Sequence, residues 1–188
     1  EMVKINTCIF ISGKGSNLKN LIEKSRDYNF PINIKLVISN NSKAKGILYA
    51  KLNSIPYIIV NADYRNHEYK ILNKLKEYNI SLICLAGYMK IISKNFLNLY
   101  RKKIINIHPS LLPKFKGLNT FSRVLEKKEV KTGCTVHFVN EKLDSGNIIV
   151  QKFFYLNKLD NEKSVKTKTQ KLEYLAFPEA IIKIYRKN

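Results

Sequence analysis

No stretch of this chain approaches the roughly 20 uninterrupted apolar residues that a membrane helix needs, so no spanning helix is expected and the chain reads as soluble. Cysteine is scarce. Cys8, Cys84 and Cys134 each lie inside apolar runs without a C-x-x-C pair, which argues against a disulfide framework and a zinc knuckle and suits a reducing cytoplasm. No two of the three histidines are spaced as metal ligands on a helix, so no metal is expected. The opening "EMVKINTCIFISG" has neither a small-residue cleavage site nor an Arg/Ser-rich amphipathic pattern, and no targeting segment is read from it. Acidic residues are also few: 14 Asp and Glu against 34 Lys and Arg leave a formal charge of +20. The positive residues are scattered, with no block longer than two or three and no nucleic-acid module among them, so nucleic acid is not an expected partner. Such scatter fits a coding sequence biased toward A and T, or a basic surface that draws anionic substrates. It also opposes self-association at low salt, so a monomer or weak homodimer is expected.

What is present is an alternation. "CIFIS", "IKLVIS", "YIIVN", "LICLAG" and "IINIH" are short runs rich in Ile and Val and apolar on both faces, as strands of a buried parallel sheet are. Between them Leu18, Leu21 and Ile22 share a helical face, as do Ile71, Leu72 and Leu75. The fold class expected is α/β: a doubly wound, mostly parallel sheet in a single domain over residues 1–188. After Pro113 the regime changes. "TGCTVHFV" and "NIIVQKFFYL" are strand-like runs joined by too few residues for a crossover helix, which predicts antiparallel C-terminal strands. A final helix should start near Asp160 or Asn161, with Glu162 favourable in its first turn, and run toward Phe177, where Pro178 should kink or interrupt it.

Two places concentrate chemistry. In "ISGKGSNLKNLI" a strand ends in a glycine turn and a helix begins; Gly13 and Gly15 permit positive φ and close approach, and Ser16 or Asn17 can cap the helix. Helix-terminal N–H groups there suit an anion. The turn serves equally as a plain βα turn, because both the dinucleotide fingerprint and the Walker A pattern fail. In "IINIHPSLLP" Asn106 and His108 lie two apart on a strand and so share a face, and Pro109 ends the strand. Carboxyl ends of strands are where open α/β sheets bind ligands. His108 is either a structural strand-end residue or a proton carrier. Asp144, in "LDSGNII", either opens a turn or, if it folds back beside His108, raises the imidazole pKa and orients the ring. His137 is read as a strand histidine with a structural hydrogen bond, and His67 as a solvated helix residue.

Taken together and in order, "ISGKGSNL", "LAGYMKI", "INIHPSLLPKFKG", "GCTVHFV" and "LDSGNIIVQ" resemble the phosphoribosylglycinamide formyltransferase family, folate-dependent enzymes of purine synthesis with a Rossmann-like formyltransferase fold. The resemblance runs from about Val3 to the C-terminal helix. It implies transfer of a formyl group from 10-formyltetrahydrofolate, as co-substrate, to the amine of 5'-phosphoribosylglycinamide. It further implies catalytic roles for Asn106, His108 and Asp144, and substrate contacts at Gly15, Ser16, Asn17, Gln170 and Glu173. Folate contacts are implied at Met89, Lys90, Ile91 and Ile92, at Asn106, and at Asn140, Glu141, Lys142, Leu143 and Asp144, largely through backbone. Where the family often has an arginine near the folate tail, Tyr64 stands here with Arg65 beside it. Lys14, between the glycines, faces either the phosphate or solvent.

Three other readings compete. Methionyl-tRNA formyltransferases carry a further C-terminal domain for tRNA, and formyltetrahydrofolate hydrolases a regulatory domain ahead of the shared core; neither is expected here. A non-catalytic phosphate-binding module has no reason to keep Asn106, His108 and Asp144 together.

Overall fold

The computed structural model describes residues 3–61 and 66–186, which form two compact units, Glu1–Ile105 and Asn106–Asn188. The first contains β1 (Ile5–Ile11), α1 (Ser16–Ser25), β2 (Ile32–Ser39), α2 (Ile47–Leu52), β3 (Tyr57–Ile59), α3 (His67–Glu77), β4 (Leu82–Leu85) and α4 (Lys94–Tyr100), and β5 (Lys103–His108) begins in it. Its strands lie in the order β3-β2-β1-β4 and all pair in parallel. Cys8, Ile9, Phe10 and Ile11 of β1 are all without solvent exposure, which is why β1 reads as an unbroken apolar run instead of alternating. Leu18, Leu21 and Ile22 make the buried stripe of α1. The chain leaves β1 toward β2 and β3, then returns on the other side of β1 as β4. The carboxyl ends of β1 and β4 therefore flank a point where strand order reverses, the place where such sheets bind ligands.

The second unit contains the last residues of β5, then α5 (Thr120–Glu126), β6 (Lys131–Phe138), β7 (Ile148–Tyr155) and α6 (Glu162–Tyr185). β6 and β7 pair antiparallel, from Lys131 opposite Tyr155 to His137 opposite Ile148, with a register shift between Val136 and His137. The α/β class, mostly parallel with antiparallel C-terminal strands, is thus the one the sequence indicates.

Two local expectations need correction. Ser16 and Asn17 do not cap α1: Gly15 occupies the cap position at φ 71 and Ser16 is already helical. Gly13 lies outside the left-handed region, so only Gly15 uses that freedom. A Cβ on Gly15 would sit 2.5 Å from the Gly46 Cα, which excludes a side chain on steric grounds as well as conformational ones. Second, α6 does not stop at Pro178 but runs through it to Tyr185. The proline cannot donate to the carbonyl one turn earlier. Ala176, Phe177, Ala180 and Ile181 beside it are all without exposure, and burying that face outweighs one missing hydrogen bond.

Candidate active site

The strand end Asn106–Pro109 and the loop joining β6 to β7 meet in a buried polar cluster. Asp144 approaches His108, with its Oδ2 at 3.4 Å from Nδ1, and its Oδ1 lies 3.7 Å from Nε2 of His137. His137 Nε2 is in turn 3.2 Å from Nδ2 of Asn106. The three residues singled out in the sequence are therefore joined into one group by a fourth. Asp144 is held at φ 46, a left-handed conformation that aspartate tolerates better than most residues. Its Oδ2 accepts the Gly117 N–H at 2.8 Å, fixing the carboxylate from the far side of the loop.

The second face of His108 is also occupied. Its Nε2 lies 2.8 Å from the carbonyl oxygen of Phe115, so acceptors flank the ring on both sides and each favours a proton on its own side. Burial acts against the charged ring and prevails: the imidazole sits below its ordinary value, although the Phe115 carbonyl and the Asp144 carboxylate raise it. The expected rise from Asp144 is present as one influence but is overcome by desolvation, which corrects the sequence-based expectation. Asp144 responds oppositely. Burial raises its carboxyl, but the His137 ring beside it, the hydrogen bond from the Gly117 N–H and the neighbouring His108 ring hold it below the usual carboxylate range.

His137, a structural strand histidine by its sequence context, also touches Asp144 and Asn106. Its Nδ1 donates to the Phe138 carbonyl at 2.8 Å, which leaves the Nε2 lone pair to receive one N–H of the Asn106 amide. An amide has two such protons, so a second remains for a ligand. The register of β6 against β7 shifts between Val136 and His137, directly beside the cluster, where bulges are over-represented.

The other candidates lie as follows. Gly15 caps α1 and Ser16 and Asn17 open it, with Lys14 exposed beside them. Residues 89–92 are irregular backbone after β4, with Met89 67% and Ile91 77% exposed, Lys90 exposed and Ile92 half-buried. Asn140, Glu141, Lys142 and Leu143 are exposed in the loop that delivers buried Asp144. Gln170 and Glu173 are both half-buried on α6, and the Glu173 charge helps raise the Cys134 thiol, which burial chiefly pushes up to about 12. Tyr64 and Arg65 lie outside the described residues, while His67 opens α3 and is half-buried, not fully solvated. Among the described residues no three His, Cys, Asp or Glu side chains are placed to hold a metal.

Residues 5–181 match the formyl transferase family. The chain belongs to that family. The chain is 38% identical over 177 residues to the phosphoribosylglycinamide formyltransferase of Haemophilus influenzae, covering 92% of the present chain and 84% of that one. It is also 38% identical over 185 residues to the human trifunctional purine biosynthetic protein adenosine-3. There 96% of the present chain is matched, but it spans only 18% of that protein's length, and 13% of the Drosophila melanogaster counterpart's. Among solved structures, the phosphoribosylglycinamide formyltransferase of Bacillus halodurans superposes with a TM-score of 0.92 at 32% identity, covering 97% of this chain and 96% of that one. That of Campylobacter jejuni gives 0.92 at 32% identity, covering 99% and 100%. The fold of this chain is therefore theirs.

Proposed function

We propose that the chain transfers a formyl group from 10-formyltetrahydrofolate to the amine of 5'-phosphoribosylglycinamide, giving the N-formyl product and tetrahydrofolate in purine biosynthesis. The observation that carries this reading is the contact between His108 Nδ1 and Asp144 Oδ2 within a buried group that also holds Asn106, in a member of the formyl transferase family. The match covers residues of both compact units, in keeping with one formyltransferase domain over residues 1–188.

The substrate amine attacks the formyl carbon, the carbonyl π electrons move to oxygen, and a tetrahedral oxyanion forms. The second N–H of Asn106 donates to that oxyanion; a preorganised donor of this kind contributes about 3 kcal/mol. The lowered pKa of His108 keeps its ring neutral near pH 7, ready to accept the proton that the attacking nitrogen must lose. Asp144, low in pKa and ionised, stabilises the imidazolium that results. His108 then returns the proton to the folate nitrogen as its bond to carbon breaks. With the reacting groups in place of the Phe115 carbonyl, the proton of the neutral ring sits on Nδ1 facing Asp144, and Nε2 is the nitrogen that takes the proton from the substrate. Gly15, Ser16 and Asn17 hold the substrate phosphate by backbone N–H groups and the helix terminus, with Gln170 and Glu173 toward the ribosyl part. Residues 89–92 and 140–144 contact folate. The partners are these small molecules, and the role fits a cytoplasmic compartment.

Replacing His108 tests the reading. His108→Asn should cut turnover by about 10² to 10⁴, the range for loss of a general acid–base, with binding of both substrates nearly intact. Turnover close to that of the wild type would remove His108 from the mechanism.

A further inference from the structure

Segment 89–92 is exposed and irregular, carries two exposed large apolar side chains, and yet is fastened at both ends by side chains from other elements. At one end the Met89 N–H donates at 2.8 Å to Oγ of Ser12, the residue that follows β1. Ser12 donates its own proton to Oδ1 of Asn40 at 2.5 Å, and its carbonyl accepts from Nδ2 of Asn41 at 3.1 Å. Its hydroxyl thus links the carboxyl ends of β2, β1 and β4, three neighbouring strands. At the other end Glu68, in the first turn of α3, accepts twice from Ser93: the N–H at 3.2 Å and the Oγ–H at 2.6 Å. Just ahead of the segment the Tyr88 ring packs edge-on against Phe10, with centroids 5.2 Å apart.

A short loop with exposed apolar side chains has little packing of its own to fix its shape, so these bonds set the direction in which its backbone groups point. A ligand that pairs with backbone N–H and C=O groups loses affinity when they must be ordered on binding. We propose that Ser12 and Glu68 are positioning residues that hold segment 89–92 in the form that receives the flat, hydrogen-bonding ring system of the folate. This rests on reading 89–92 as the folate contact. Neither side chain touches the reacting atoms, and the two act from opposite ends of the same segment.

The test uses the full chain, with equilibrium binding of tetrahydrofolate and steady-state KM for each substrate. Ser12→Ala removes both hydroxyl bonds; Glu68→Gln keeps the shape but leaves one Ser93 donor facing an NH2 group. Each variant should weaken tetrahydrofolate binding and raise the KM for the formyl donor about tenfold, with the KM for phosphoribosylglycinamide changing less than about twofold, as expected for roughly one hydrogen bond's worth of order. Ser12→Thr, which retains the hydroxyl, should restore binding. Unchanged tetrahydrofolate affinity in the variants, or an equal rise in both KM values, overturns the proposal. If Ser12→Ala does not fold, Glu68→Gln decides by the same criteria. Failure of the wild-type protein to bind tetrahydrofolate rejects the active-site reading itself, an outcome separate from failure of the variants.

Discussion

His108 lies 3.4 Å from a carboxylate and is nonetheless driven toward the neutral form by its burial. A folded-state pKa below the ordinary 6.5 means that the unfolded chain takes up the proton first on acidification. The stability contribution of the neutral ring is therefore complete above about pH 6.5 and declines as pH falls below it. The acid limb of kcat/KM should accordingly fall at a pH below the ordinary histidine value, and the denaturation midpoint should drop as pH falls below about 6.5 in the wild type but less in His108→Gln. A limb above pH 7, or equal acid sensitivity in the variant, would contradict this assignment. Asp144 contributes in a lower window, above its ordinary 3.8, with loss as pH falls through its depressed value. Asn106 and His108 were legible in the sequence because i, i+2 spacing on a strand puts them on one face. His137 was not, since its contacts with Asp144 and Asn106 depend on a hairpin that only the paired strands reveal. The net direction of the His108 shift was equally hidden, because sequence names neighbours but not the depth at which they sit.

At the scale of elements, α6 carries both the clearest local signals and the clearest failure of one. Asn161 accepts from Ser164 N–H at 3.1 Å while Ser164 Oγ accepts from Asn161 N–H at 3.0 Å, a reciprocal cap at the helix start. Asp160 adds to it, held at about 2 by Lys168 and by hydrogen bonds from Ser164 and Asn157. Asn161→Ala should cost about 1 kcal/mol of stability, measured by denaturant titration, with turnover unchanged because the cap lies well before Gln170 and Glu173 in the helix. A loss below a few tenths of a kcal/mol would show that the cap is dispensable. The start of α6 was readable from its polar cap residues, whereas its passage through Pro178 was not: proline's local penalty is visible in sequence, but the buried face that overrides it is a property of the packed hairpin and helix. β1 and β4 were legible for the converse reason, that burial on both faces writes itself as an unbroken apolar run.

Over the whole molecule the dominant property is charge. A net +20 attracts anions of every kind, and by itself it suits RNA as well as a phosphorylated small molecule. The cluster of Asn106, His108 and Asp144 suits formyl transfer to either, so the reaction itself identifies the acceptor. Purified protein supplied with 10-formyltetrahydrofolate and, in separate reactions, phosphoribosylglycinamide, formyl-acceptor tRNA or water alone should release tetrahydrofolate only with phosphoribosylglycinamide. Release at a comparable rate with tRNA or with water alone would contradict the proposed reaction.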